Sequence, residues 1–227
     1  MPDPKGACVV ARRIGREARP LVAIDGFSRD ADALRAAACA ARFAPAGHHY
    51  PGVRAPLPPG YLAERGGVIA EVVREVFGYR RELRPLDAAF SIVTVPPASL
   101  TTEQRLPHVD AVTPGRIALI HHLSPEGGDG TAFFRHRATG FETIDEARAP
   151  AYYARLAEEV RATPPPAAYI ADDTALFERV ALAEARRDRA YLYESGVLHS
   201  GAIAPGAALS PDPAIGRLTV TAFFAAA

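Results

Sequence analysis

Apolar positions recur first at three-to-four-residue spacing and later at every second residue along this chain. Leu34, Ala38 and Ala41 fall on one face of a helix predicted over residues 30–43, with Ser28 placed to cap it. Ile69, Val72, Val73, Val76 and Phe77 define the buried face of a second helix over residues 61–77, and Gly78 is positioned to stop it. From Ala88 the period is two: Ala88, Phe90, Ile92 and Thr94 alternate with Ala89, Ser91, Val93 and Val95. Further short strands are predicted at residues 7–14, 20–24, 117–123, 131–137, 176–185, 189–194, 197–203 and 216–224, with one late helix over residues 151–162. Helices early and many short strands late give an α+β fold with an all-β core, for which a two-sheet jelly roll of the cupin kind fits the strand count.

Length and composition bound the picture without changing it. The 227 residues suffice for one sizeable core and one domain. Residues 1–80 read as mainly helical support, and 83–224 as the β core with a helical insert at about 139–170. Hydrophobic residues make up 48% and charged residues 23%, ordinary for a soluble globular chain. A net charge of zero and a pI near 7.1 argue against a general nucleic-acid binder. Cys8 and Cys39 show no framework spacing, which favours a reduced, cytoplasmic setting. No leader-like apolar region opens the chain, and no apolar run approaches the roughly 20 residues of a membrane span, so no membrane partner is expected.

Chemistry enters at Pro107-His108-Val109-Asp110. A histidine and an aspartate two residues apart on extended chain project to one face, where they can share a metal ion. A third ligand must come from elsewhere, and His199 in Val197-Leu198-His199-Ser200-Gly201 is the candidate. Two histidines and a carboxylate with open positions form the site of non-haem Fe(II) oxygenases. The paired His48-His49 lie in a proline- and glycine-rich loop with Tyr50 and Arg54, a candidate for substrate contact.

Several landmarks in order resemble the Fe(II)/2-oxoglutarate-dependent oxygenases, on their prolyl-hydroxylase-like side. They are Leu21 to Phe27 before the first helix, His108-Val109-Asp110, Gly128-Asp129-Gly130-Thr131, Leu198-His199-Ser200-Gly201 and Gly216-Arg217-Leu218-Thr219. The runs PHVD, FFRHRATGFE and LHSGAI most resemble uncharacterised bacterial proteins within that group. The resemblance implies a double-stranded β-helix, Fe(II), 2-oxoglutarate as cosubstrate, dioxygen, and oxidation of an unactivated C–H bond in a small-molecule, amino-acid-like or natural-product substrate. It implies His108, Asp110 and His199 as catalytic metal ligands. Arg217 and Thr219 would hold the cosubstrate, with His122 and Thr131 lining the same pocket. Eighteen positions separate His199 from Arg217, a longer spacing than that branch usually shows.

Two alternatives stay open on the sequence. A cupin-like metal-binding module, such as a sensor or an isomerase, would use the same fold and metal ligands but has no use for Arg217. On the last strand Arg217, Thr219 and Thr221 share one face and Leu218, Val220 and Ala222 the other; the polar face points either to solvent or into the barrel. Arg54, Arg135 and Arg137 are candidates to hold an anionic substrate, with pairing of Arg135 or Arg137 to Glu142 as the competing expectation. His121 and His122 should face opposite ways, as should His136 and its flanking arginines.

Overall fold

Two antiparallel sheets face one another in the computed structural model, which describes residues 7–47, 50–124, 130–207 and 209–226. The strands are β1 (Cys8–Ile14), β2 (Arg19–Asp25), β3 (Ala44–Pro45), β4 (Gly52–Ala55), β5 (Leu83–Val93), β6 (Arg116–His122), β7 (Gly130–His136), β8 (Phe177–Glu184), β9 (Arg189–Glu194), β10 (His199–Ala202) and β11 (Leu218–Ala226). The helices are α1 (Ala31–Ala40), α2 (Tyr61–Glu75) and α3 (Ala149–Ala162). The larger sheet runs β1-β2-β9-β6-β11-β5-β4-β3 and the smaller β10-β7-β8. None of the three helices is long and apolar enough to cross a membrane.

Alternation decides which residue meets which layer. Leu218, Val220 and Ala222 of β11, Ile117 and Leu119 of β6 and Phe90 and Ile92 of β5 point to one face of the large sheet, where Tyr61, Ile69, Val72 and Val73 of α2 and Ala38 of α1 cover them. Each large aliphatic chain buried there contributes roughly 1.5–3 kcal/mol. Residues one position away face the small sheet: Leu21, Ala118, Tyr191 and Tyr193 pack against Phe133 and Ala183. The outer face of the small sheet is covered by α3, through Tyr152 against Ala132, Phe134 and Phe177. The expected helical support on one sheet is therefore present, and the N-terminal segment also adds β1 to β4 to that sheet.

Two local expectations are corrected. Asp30, not Ser28, caps α1: its side chain accepts from the Ala33 N–H. Ser28 is occupied elsewhere, with its N–H and hydroxyl both donating to Asp188 at 2.8 and 2.6 Å. The proline- and glycine-rich stretch before α2 contains a hairpin, β3–β4, which pairs with β5. Gly52 makes this possible: a Cβ there would lie 1.9 Å from the Ile92 carbonyl oxygen, so only glycine permits that pairing distance.

Candidate metal centre and anion pocket

The metal-type cluster is assembled by backbone pairing. His108 donates its N–H to the His199 carbonyl at 2.8 Å and receives the His199 N–H at 2.9 Å, an isolated antiparallel bridge. Residues paired in this way present their side chains to the same face. Asp110, two residues on, returns to that face, and its N–H is tied to the Ser195 carbonyl at 2.9 Å. One donor atom from each of His108, Asp110 and His199 lies within 4.8 Å of the others. Among the described residues this is the one group of His, Cys, Asp and Glu side chains so arranged. His108 Nε2 is 3.8 Å from Asp110 Oδ1, and His199 Nε2 is 3.5 Å from Asp110 Oδ2.

The three side chains differ in exposure and proton affinity. His199 is buried between the rings of Tyr193 and Phe133, with centroids at 4.9 and 6.3 Å. Its Nδ1 donates to the Val197 carbonyl at 2.9 Å, which leaves the Nε2 lone pair directed at the cluster. Burial pushes its pKa down to about 4. Although 19% of the Asp110 side-chain surface is exposed, the protein packed around it pushes its carboxyl up to about 6, with His108 opposing the shift. The His108 side chain is 53% exposed, so the cluster opens to solvent on that side.

A polar row leads away from the cluster. His122, Thr219, Ser91 and Arg54 stand side by side on β6, β11, β5 and β4, all on the inner face. Thr131 faces the same space from β7. His122 Nε2, Thr131 Oγ1 and the Tyr50 hydroxyl are buried and without a hydrogen-bond partner. Of the eight such atoms among the described residues, these three lie along or beside this row, where a polar ligand would give them partners. Arg217 donates to the Gly130 carbonyl at 2.8 Å and acts electrostatically on Tyr50, His122, Tyr169 and Tyr193. Burial, with Arg217 adding to it, holds His122 well below the usual imidazole pKa, hence neutral. The Tyr193 hydroxyl feels both Asp110 and Arg217, so it stands close to the cluster and to the polar row alike. The polar face of the last strand thus points inward, and the long spacing before Arg217 is taken up by the chain ahead of β11.

Of the three arginines expected to share a substrate anion, Arg135 and Arg137 meet at Glu178, and Arg54 lies on the other sheet. Arg135, 7% exposed, is held by Glu142 at 2.9 Å and by Glu178, because its position on β7 lies under the β1–β2 turn that Glu142 also braces. Arg137 pairs with Asp173 at 2.9 Å. Arg54, on the other sheet, pairs with Asp87 at 2.8 Å and donates to Ser91 and Thr221. Each fork has a carboxylate beside it, and the pairing with Glu142 that the sequence offered is present for Arg135. His121 and His136 face away from the space between the sheets as expected: His121 lies between Tyr61 and Asp188, and His136 bonds Glu159 of α3. His48, His49, Gly128 and Asp129 lie outside the described residues. Sequence reading passed over Ser91, Tyr169 and Tyr193. Ser91 carried a signal, a lone hydroxyl in an apolar alternation.

A two-sheet antiparallel fold with two histidines and a carboxylate converging between the sheets defines the class. The chain belongs to a family described as a family of unknown function (DUF6445), whose model matches residues 5–224. No curated protein sequence matches it. Among solved structures it is similar to HygX from Streptomyces hygroscopicus, in a crystal structure with nickel, 2-oxoglutarate and hygromycin B bound. That likeness has a TM-score of 0.51 at 11% identity, over 92% of this chain and 84% of HygX, and it is a likeness of fold. AviO1 from Streptomyces viridochromogenes Tue57 is similar at TM-score 0.45 and 15% identity, over 94% of this chain and 90% of AviO1. SnoN, described as a non-heme alpha ketoglutarate dependent epimerase from nogalamycin biosynthesis, is similar at TM-score 0.42 and 13% identity, over 90% and 78% of the two chains.

Proposed function

We propose that this chain is a non-haem Fe(II)/2-oxoglutarate-dependent oxygenase with a double-stranded β-helix core, acting on a small-molecule substrate of natural-product or amino-acid-like kind. The observation that carries the reading is the pairing of two features in one chamber: the His108, Asp110 and His199 cluster, and the orphaned polar atoms gathered near Arg217. A sensor or isomerase of the cupin kind needs the first feature and not the second. The bound ligands of HygX, nickel, 2-oxoglutarate and hygromycin B, agree with the fold-level part of this reading.

The residues present fit both groups. His108, Asp110 and His199 would hold the metal, a donor set suited to Fe(II) with positions left for other ligands. Arg217 and Thr219 would take the distal carboxylate of 2-oxoglutarate, with His122 and Thr131 supplying the hydrogen-bonding partners they themselves lack. With both bound, iron and 2-oxoglutarate supply the oxidation of an unactivated C–H bond by dioxygen. The chain's own residues do the rest. The bond from His199 Nδ1 to Val197 fixes the imidazole tautomer. Tyr193 and Phe133 exclude water from the His199 side. The half-exposed His108 side is where substrate enters, and Arg54, on the inner wall with Asp87, Ser91 and Thr221, offers it donors and acceptors. Arg135 and Arg137 brace the fold.

The test is binding followed by consumption. The protein loaded with Fe(II) consumes 2-oxoglutarate slowly without substrate and faster when the right small molecule is present. Failure to bind 2-oxoglutarate with metal loaded would leave the metal-module reading standing instead.

A further inference from the structure

We propose that Tyr50 is a direct ligand of the cosubstrate's distal carboxylate, and that Tyr50 and Tyr169 close the end of the pocket and so set the length of 2-oxo acid accepted. This deepens the reading of the chamber as a 2-oxoglutarate site and rests on it. The Tyr50 hydroxyl is buried with no partner in good hydrogen-bond geometry, and Arg217, Arg54, Ser91 and Thr219 lie close around it, the Ser91 and Thr219 hydroxyls near enough to oppose the rise in its pKa. The chain holds it there by close backbone contact: the Thr94 and Val95 N–H groups both donate to the Pro51 carbonyl, at 3.1 and 3.2 Å. Gly52 then lies so near Ile92 that no side chain fits. The β3–β4 hairpin is thereby clamped onto the end of β5 with Tyr50 turned inward.

Tyr169 arrives from the opposite direction, on the segment after α3. Its hydroxyl donates to the Val95 carbonyl at 2.7 Å, and it lies near both Tyr50 and Arg217. Two phenol side chains carried by separate excursions therefore come near each other beside the end of β5. Burial pushes the Tyr50 hydroxyl up to about 12, so it stays protonated and donates. Arg217 acts electrostatically on Tyr50, so the two can meet one carboxylate, Arg217 with its charge and Tyr50 with a directed donor. In this arrangement a carboxylate bound between them ends against the two rings, which disfavours a chain one methylene longer.

The experiment is an anaerobic titration of Fe(II)-loaded protein with 2-oxoglutarate and with 2-oxoadipate, one methylene longer, followed by the visible charge-transfer band and by calorimetry. Tyr50→Phe keeps the ring and removes one hydrogen bond to a charged group, so the 2-oxoglutarate Kd rises about 10- to 100-fold with metal stoichiometry unchanged. Tyr50→Ala opens the end wall, and 2-oxoadipate then binds as well as 2-oxoglutarate. Tyr169→Phe, which loses only its tether to Val95, moves the preference the same way by a smaller factor. A Tyr50→Phe affinity within about twofold of the wild type overturns the ligand assignment. An unchanged preference in both Tyr50→Ala and Tyr169→Phe overturns the length filter. A wild-type protein that gives no band with 2-oxoglutarate overturns the underlying reading, and that is seen before any variant is made.

Discussion

At the scale of single residues, proton competition is the first test of the metal cluster. The metal-free Asp110 carboxyl titrates at about 6, and His199 at about 4. A metal needs the carboxylate charged and the imidazole neutral. As pH falls through 6 the Asp110 proton competes with the metal and by itself lowers the apparent affinity about tenfold per unit, and a proton on His108, the third ligand, steepens the fall. His199 adds a further proton only below about 4. Nickel or cobalt competition titrations across that range should show this slope in the wild type. His199→Ala should reduce affinity by several orders of magnitude at every pH, since only two protein ligands remain. At the other end of the chamber, Arg217→Ala should raise the 2-oxoglutarate Kd steeply while metal binding stays near the wild-type value. Arg217→Lys should fall between, because the charge remains and the planar fork is lost. Much of this was legible in the chain, because ligand spacing on extended backbone is a local property. His108 and Asp110 follow from a period of two. That His199 joins them depends on one long-range bridge, which no local pattern specifies.

At the scale of elements, Asp188 ties three of them together. It sits at φ 59°, accepts from both donors of Ser28, and meets His121 Nε2 at 2.9 Å. Its own N–H donates to the His122 carbonyl at 2.9 Å, so the ends of β2, β6 and β9 are fixed beside His122. Asp188→Ala leaves the fully buried His121 ring short of a partner and frees Ser28, and should lower stability by about 2–4 kcal/mol in denaturant melts. His121 is also held below its usual pKa, first by burial. The unfolded imidazole therefore takes up a proton on acidification that the folded one refuses, and this contribution to stability declines as pH falls below about 6.5. Sequence patterns located the long strands and the three helices well, since each buries one face along its length. They missed β3–β4, whose residues are too few and too rich in Pro and Gly to show a period. Arg135 shows a related limit: its pairing with Glu142, seven residues on, was open in the sequence, whereas its second partner Glu178 comes from a neighbouring strand that no local pattern specifies.

At the scale of the whole molecule, the chamber lies between the two sheets, so ligands that occupy it bind only the folded state. At 100 times its Kd such a ligand adds about 2.7 kcal/mol. For a chain of this length that is a rise in Tm of roughly 5–10 °C. Nickel alone should raise Tm, 2-oxoglutarate alone should raise it little, and the two together should exceed the sum, because the metal completes the site at which the keto acid chelates. The most direct measurement of the central claim is the anaerobic spectrum of the wild-type protein with one equivalent of Fe(II) and excess 2-oxoglutarate. The account predicts a visible charge-transfer band that saturates at one iron per chain and is absent in both His199→Ala and Arg217→Ala at the same 2-oxoglutarate concentration. A protein that binds one Fe(II) through His108, Asp110 and His199 yet develops no band at any 2-oxoglutarate concentration would contradict it.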